Sequence, residues 1–519
     1  MLLRGPFVVA MGMNRRQFVQ RAAAVAGACL AGAARGAGAG GDGGEYDLVV
    51  VGGGSAGVGA ALAAARRRVR VLLVEKADCL GGTSTRGGVH EWASALGATG
   101  VPFDLYKRLK KVPGAAGISS FGRHASWYDP AKEKYRFPGG ERVIDPSRRY
   151  VDTLHGSGGR TLADREYLRE HLHGVAFEPD AMARVMKEAL EATGCRVELD
   201  TAFVRAGAEG GRVRWIELAG GRRVAARFYI DATGDGWLCE SAGCEMMTGQ
   251  EARATFDEPH APEQASALVN GVSLIYRARR RDREGVDKPP EDVPAKCWWR
   301  RSFPSAHMIH YPCGDWNINT LPTMEGREFL DLGYARAYAE CRRRVMAHWR
   351  HLQTNFDEFR RFAFGPIAPA LGVRESRRVR GRCVLTEHDL LAGLGGQKHE
   401  DVVALADHSV DTHGRHSGGR PKVRPYGVPY RCLLAKGLAN LAMAGRHASF
   451  SSLAASSCRL SRTMMQLGQA AGTAAALAVQ AKCDLPAVDA ARLRSALRED
   501  HVQLDLAMSE ELRRHLKEE

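Results

Sequence analysis

Three glycines and one glutamate carry the first chemistry in this sequence. In "YDLVVVGGGSAGVGAALAAARRRVRVLLVEKADCLGGTS", Gly52, Gly54 and Gly57 stand in G-x-G-x-x-G spacing, and Glu75 follows. The first glycine permits a tight turn, the second lets a pyrophosphate touch the backbone, and the third lets a helix pack close to a strand. Amides at Ser55, Ala56 and Gly57 would open that helix, where its dipole favours an anion. A carboxylate about twenty residues beyond the motif hydrogen-bonds both hydroxyls of an adenosine ribose and disfavours a 2′-phosphate. Three elements must position these groups. Leu48–Val51 is a continuous apolar run, as a buried parallel strand requires. Ser55–Ala65 is an alanine-rich helix, and Val69–Val74 is a second strand that ends on Glu75. A glycine-rich turn of an unrelated α/β protein would not need an acid at that place, so the segment reads as an adenine-dinucleotide site.

The totals set the frame. At 519 residues the chain is long enough for about two to three domains. Formal charge is +15; five of the 74 basic residues and none of the 59 acidic ones lie in residues 1–39, which leaves +10 on the rest. That excess is dispersed, with no aromatic-interleaved basic stripe, so an anionic small molecule is a better partner than nucleic acid. The 12 cysteines form no C-x-x-C pair, against a zinc ribbon, an iron–sulfur run or a disulfide framework. Cys239 and Cys244 have the spacing of a redox pair but do not follow the first strand–helix unit, and they read as packing. The histidines show no metal-ligand spacing such as H-E-x-x-H, so no metal site is expected.

Residues 1–39 read as an address. "MNRRQFVQRAAAVAGACLAGAARGAGA" has a basic start, a short weakly apolar run and a small-residue end. The apolar run is too short for a spanning helix, which needs about 20 apolar residues, so no stable membrane insertion is expected. Arg15-Arg16-Gln17-Phe18-Val19 resembles a twin-arginine signal, the route of proteins exported already folded. The expectation is an exported, periplasmic protein whose organic cofactor is inserted before export. Residues 40–45 are then a flexible joint.

Beyond Glu75 the chain does not go straight into the next helix. Gly81-Gly82-Thr83-Ser84-Thr85 forms a second glycine and hydroxyl loop, similar to the one flavoproteins place against the second phosphate and the flavin. Much later, "RFYIDATGDGWLCESAG" reads as a strand, Phe228–Ala232, with a Thr233-Gly234-Asp235-Gly236 turn. "NLAMAGRHASF" is a strand, Leu441–Ala444, ending on Gly445, and "SRTMMQLGQAAGTAAALAV" is a long helix. Together these motifs resemble the glutathione-reductase-type FAD superfamily. Within it, "RESRRVRGRCVLTEHDLL", "VDTHG", "YGVPYRCLLAKGLANLAMAGR" and "LGQAAGTAAALAV" resemble the FAD-dependent oxidoreductase family. The chain departs from the pattern at Trp237 and Cys239, after the Asp-containing turn.

The resemblance implies an α/β fold: a Rossmann-type FAD-binding domain, with a parallel sheet and a small antiparallel meander, carrying an inserted substrate or cap domain. Residues 46–90, 170–245 and 370–485 are assigned to the FAD side, 91–169 and 246–365 to the cap, and 486–519 to a helical tail. The implied FAD contacts are Gly52, Gly54, Ser55, Ala56, Gly57, Glu75, Lys76, Gly81, Gly82, Thr83, Ser84, Arg86, Phe203, Val204, Ala232, Gly234, Asp235, Gly445, Arg446, Leu467 and Gly468. Phe203 and Val204 would offer backbone groups to the adenine edge. The last helix would aim its N-terminus at the flavin pyrimidine, where its dipole favours the reduced anion.

The resemblance also places late segments near the flavin. Arg446, His447, His413, Arg459 and Arg374 are the implied catalytic set: arginines to anchor an anion, histidines to move a proton. Asp411 joins His413 in an Asp-x-His element, Tyr430 and Arg431 fall in a further family segment, and Arg374-Glu375 also reads as a simple ion pair. His90, close after the glycine loop, is a candidate for approach to the flavin. The reading is an exported FAD oxidoreductase moving a hydride between flavin N5 and a polar small molecule, sugar-derived or anionic, with an unidentified electron acceptor or donor. Two alternatives stay open: reduction of an activated double bond in the manner of fumarate reductases, and a non-catalytic FAD-binding protein.

Overall fold

The computed structural model describes residues 45–122, 139–156, 165–294, 296–299 and 306–518, all within one compact unit, Glu45–Glu519. The export signal expected in residues 1–39 and nearly all of the joint expected after it lie outside the described residues.

Five parallel strands form the sheet under the glycine motif. Their order is Leu441–Met443, Ala226–Asp231, Tyr46–Val51, Val71–Val74, Arg196–Glu198. Burial is complete in the middle of the apolar runs: Leu48, Val49, Val50, Leu72, Leu73, Tyr229 and Ile230 have no exposed surface. The Ser55–Arg66 and Ser461–Ala481 helices cross each other against this sheet, and their contact depends on small residues. A Cβ on Gly468 would collide with the Ala56 carbonyl, one on Gly472 with that of Ala60, and one on Gly59 with that of Met465. Glycine stands at these positions because two backbones touch, which only a missing side chain permits. The expected meander is present as an antiparallel sheet of Phe203–Glu209, Arg212–Leu218 and Arg223–Val224.

The second layer is an eight-stranded sheet, mostly antiparallel, drawn from 91–92, 116–121, 139–144, 174–177, 275–280, 306–310, 316–320 and 362–367. The long Tyr334–Asn355 helix packs on it through Ala337, Cys341, Val345, Trp349 and Leu352, and these residues share a second core with Tyr276, Trp316 and Ile318. Gly174–Phe177, grouped by sequence with the FAD side, is hydrogen-bonded into this larger sheet. The FAD side resumes at the Pro179–Glu191 helix, which packs on Ser55–Arg66. The C-terminal tail holds two helices, Ala490–Glu499 and Glu510–His515. No helix of the described residues is long and apolar enough to cross a membrane.

Candidate functional site

The first turn is built for a ligand that approaches its backbone. Gly52 has φ +105°, and its amide donates to Val74 O at 2.8 Å, which locks the turn to the second strand. A Cβ on Gly57 would strike the Gly52 carbonyl, whereas a Cβ on Gly54 would meet nothing within 4 Å. Gly54 caps the helix without a side-chain hydrogen bond, so the first-turn amides at Ser55, Ala56 and Gly57 have no intrahelical partner. Glu75 closes the ring: Gly53 N–H donates to Oε2 at 2.6 Å and Ala77 N–H to Oε1 at 2.9 Å. The adjoining strand is tied to it by Thr201 N–H on Glu75 O, 2.8 Å, which brings the start of Phe203–Glu209 alongside. Lys76 beside it is exposed.

The second loop folds back on the first. Gly81 N–H donates to Gly53 O at 2.8 Å, and a short 3-10 turn spans Gly82–Ser84. Ser84 Oγ sits 3.5 Å from Ser55 Oγ and accepts from Trp92 Nε1 at 3.1 Å. Thr83 O accepts from Val89 N at 3.0 Å, and Arg86 pairs with Asp78. His90, which follows, has both ring nitrogens engaged, Nε2 with Thr85 O at 2.8 Å and Nδ1 with the Tyr311 hydroxyl. Burial holds its pKa down to about 4.

The Asp-containing turn forms one charged cluster. Asp231, fully buried, accepts from Thr233 N at 2.9 Å, Thr233 Oγ1 at 2.7 Å and Cys239 N at 2.8 Å. Burial opposes its charge, but His447, with Nε2 3.4 Å away, and these amides hold the carboxyl well below the usual range. His447 has no exposed surface. Ala232 N donates to Val51 O at 2.8 Å, and Arg446 lies across Gly234 to pair with Asp235 at 2.6 Å. Ser376 Oγ donates to the same Asp235 oxygen at 2.5 Å. Trp237, a departure from the family pattern, carries the Arg377 guanidinium 4.1 Å over its ring. Gly445, with Arg446, closes the turn, Ala448 N donating to Gly445 O at 3.0 Å.

A second cluster collects Arg374, Arg459 and His413 around Asp411. Arg459 Nη2 donates to Asp411 Oδ2 at 2.8 Å and to Asp411 O at 3.0 Å. His413 Nε2 lies 2.8 Å from the same Oδ2, and His408 Nε2 3.6 Å from it. Burial opposes charge on Asp411, yet His413, His408 and Arg459 hold its carboxyl well below the usual range. Because an ionised carboxylate only accepts, His413 carries its proton on Nε2 and keeps a lone pair on Nδ1. Burial, with Arg374 nearby, takes His413 down to about 3. Arg374 donates to Gly271 O at 2.9 Å and Ser273 Oγ at 3.0 Å; burial and the Arg459 charge lower its pKa to about 9. The expected Arg374–Glu375 ion pair is not the one formed: Glu375 pairs with the buried Arg378 and accepts from Asn270 Nδ2 at 2.9 Å.

This cluster lies between the glycine and hydroxyl loop and the start of the last helix. Ala370 N–H donates to Arg86 O at 3.0 Å, and Arg459 immediately precedes Leu460, which caps the Ser461–Ala481 helix without a side-chain bond. Two residues escaped sequence reasoning. Asn270 braces the cluster, its Oδ1 accepting from His413 N at 2.9 Å and its Nδ2 donating to Ser456 Oγ at 3.1 Å. His307, on the Ala306–His310 strand, senses Asp411 and Arg374 and is driven to about 4 by burial and Arg142. Neither sits in a local motif; only the fold brings them here. Leu467 and Gly468 fall within the helix crossing, fully buried, where they pack helix on helix. Arg431 is exposed and paired with Asp401, while Tyr430 is buried and donates to Leu485 O at 2.9 Å.

An uncapped helix start beside open space, a turn that admits no Cβ at Gly57 and a carboxylate at the end of the second strand fit an adenine dinucleotide, and the whole arrangement defines a flavoprotein fold. The family model for "FAD dependent oxidoreductase" matches residues 47–497. The chain belongs to that family and is an FAD-dependent enzyme. No curated protein matches it. Among solved structures it is similar to a geranylgeranyl bacteriochlorophyll reductase-like protein from Thermoplasma acidophilum, at 12% identity over 91% of this chain and 95% of that one, TM-score 0.37. It is also similar to the flavin-dependent brominase Bmp2, at 12% identity over 88% and 83%, TM-score 0.42. A third is the L-amino acid deaminase from Proteus myxofaciens, at 12% identity over 88% and 94%, TM-score 0.39. Likenesses this distant carry no functional argument.

Proposed function

We propose that the enzyme moves a hydride between FAD and a small anionic organic molecule held by Arg374 and Arg459. The observation that carries this reading is a charge imbalance. Among the described residues Arg374 has only neutral acceptors, Gly271 O and Ser273 Oγ, while one carboxylate, Asp411, serves Arg459. Two desolvated guanidiniums that share the single Asp411 carboxylate are costly, and a substrate carboxylate beside them removes that cost. When bound, FAD supplies the atom that takes or gives the hydride. His413 Nδ1 then accepts the proton of a substrate hydroxyl in oxidation, or returns it in reduction. Asp411 holds the imidazole in that tautomer and Asn270 holds its backbone. Asp231, His447 and Arg446 shape the turn on which the cofactor rests.

Anaerobic bleaching of the flavin absorbance against hydroxy acids, their neutral amides, sugars and amines tests the proposal. A hydroxy acid should bleach the flavin at least ~100-fold faster than its amide, a preference that Arg374→Met should erase. Equal rates with acid and amide would refute it, and reoxidation of reduced flavin by an alkenoate alone would favour double-bond reduction instead. We further infer export through the twin-arginine route from Arg15-Arg16-Gln17-Phe18-Val19. Replacing both arginines by lysine should keep the protein in the cytoplasmic fraction; unchanged fractionation would discard the inference.

A further inference from the structure

Away from both charged clusters, a surface cavity of about 580 Å³ is lined by Arg380, Arg382, Arg431, Lys436 and Cys383, with a floor that includes Leu434. Arg431 pairs with Asp401, and Arg380 lies 3.5 Å from Glu245. Arg382 and Lys436 have no ion-pair partner among the described residues. Four cations against two carboxylates make this an anion-attracting hollow. Its thiol has company. Gly381 and Ala435 pair as an antiparallel bridge, and Arg382 N–H donates to Leu434 O at 3.1 Å, which draws the 381–383 and 432–435 segments together. Half-buried Cys383 and fully buried Cys432 come from these two adjoining segments, and the Cys383 thiol lies 4.0 Å from Val384 O. The neighbouring Cys432 thiol, with His399 and Arg431, outweighs burial and Asp389 and lowers the Cys383 thiol, which favours its thiolate. Burial drives the Cys432 thiol well above its ordinary range, so it stays protonated.

We propose that Cys383 and Cys432 form a reversible dithiol–disulfide pair and that the basic cavity recruits small anionic disulfides as its oxidant. The Cys383 thiolate attacks one sulfur of RS–SR; a mixed disulfide forms and one RS⁻ leaves. Cys432 then loses its proton to solvent and attacks the Cys383 sulfur, breaking the mixed disulfide and releasing the second RS⁻. The two thiols are oxidised by two electrons, and the external disulfide is reduced to two thiols. Cys383 is the attacking thiol because it faces the cavity, and Cys432 the resolving one because it does not.

The test uses the full-length flavoenzyme with glutathione disulfide as the anionic probe and cystamine as the cationic one. After acid quench and alkylation, mass spectrometry should find a disulfide-linked pair of peptides carrying Cys383 and Cys432, with exposed Cys313 slower to react. Cys432→Ser should stop the reaction at one glutathione adduct on Cys383. Arg382→Gln with Lys436→Gln should cut the rate with glutathione disulfide at least ~10-fold and leave that with cystamine unchanged or faster. A stable adduct on Cys383 in the wild type, without a linked pair, would overturn the pairing. Equal loss with both probes would overturn the role of the cavity. If Cys432→Ser fails to fold, shown by loss of flavin, the wild-type peptide map decides alone.

Discussion

The two charged clusters, around Asp231 and around Asp411, look alike in composition and differ in what their charges answer to. Around Asp231 the carboxylate is met chiefly by backbone amides and a hydroxyl from residues two to eight positions on, and Arg446 is matched by Asp235. Asp231 is met by donors of its own turn and Arg446 by one carboxylate, so the cluster holds a turn in place. Around Asp411 the partners are charged or titratable side chains, His413 and His408 from the same loop and Arg459 from just before the Ser461–Ala481 helix, and guanidinium outnumbers carboxylate. On the proposed reading, acid and base content does not separate scaffold from substrate site; the balance of partners does. A cluster that is complete by itself supports structure, and one that lacks a counter-charge awaits a ligand.

Perturbing each cluster should break the comparison in opposite ways. Asp231→Ala leaves two part-buried donors and the buried Cys239 N–H without an acceptor, and breaks the fully buried contact with His447, so we expect a loss of about 3–5 kcal/mol in stability. Thermal denaturation followed by flavin release should report it, with the acid-over-amide preference intact. Arg374→Met should do the reverse: kcat/KM for the anionic substrate falls about 100-fold, or about 2.7 kcal/mol, while the melting temperature holds or rises, because a desolvated cation that shares its one carboxylate with Arg459 has gone. If Arg374→Met unfolds the protein and Asp231→Ala does not, the two roles have been exchanged. Between them, Gly468→Ala forces a methyl against the Ala56 carbonyl, and a loss of about 1–3 kcal/mol is expected, read from denaturant midpoints.

Acid pH sharpens the same contrast. His90 and His307 have folded pKa values near 4 against an ordinary 6.5, and His413 lies lower still. As pH falls, the unfolded chain takes up these protons first. Stability is therefore fully present above about pH 6.5 and is lost as pH drops toward 4, by up to about 1.4 kcal/mol per pH unit for each histidine. Asp231 and Asp411, held low, extend the loss below about pH 4. A melting-temperature series from about pH 8 to 4 should fall smoothly from about 6.5; a flat series would contradict the buried neutral histidines. The same series for kcat/KM should show no limb near about 6.5 from His413. At the small end, Arg327→Ala, on the exposed face of the Gly326–Leu332 helix, removes the pair with Asp331 and should cost about 0.3–0.5 kcal/mol, at the edge of detection.

Local sequence decided the dinucleotide half of the molecule. Gly52, Gly54, Gly57 and Glu75 lie within one strand–helix–strand unit, where backbone clashes and hydrogen bonds act over a few residues and leave a readable pattern. The strands and helices observed at 46–51, 55–66, 71–74, 226–231, 441–443 and 461–481 follow from the same short-range rules. What sequence could not decide was which distant side chains meet. Gly468 looks like part of a cofactor motif until the crossing helices show a backbone contact. Glu375 looks like the partner of Arg374 until Arg378 takes it. Asn270 and His307 carry no motif at all, because a side chain joins a site through the packing of sheets and loops far apart in the chain. Tertiary structure alone settles such meetings, since whether a buried charge finds its counterpart depends on everything folded around it.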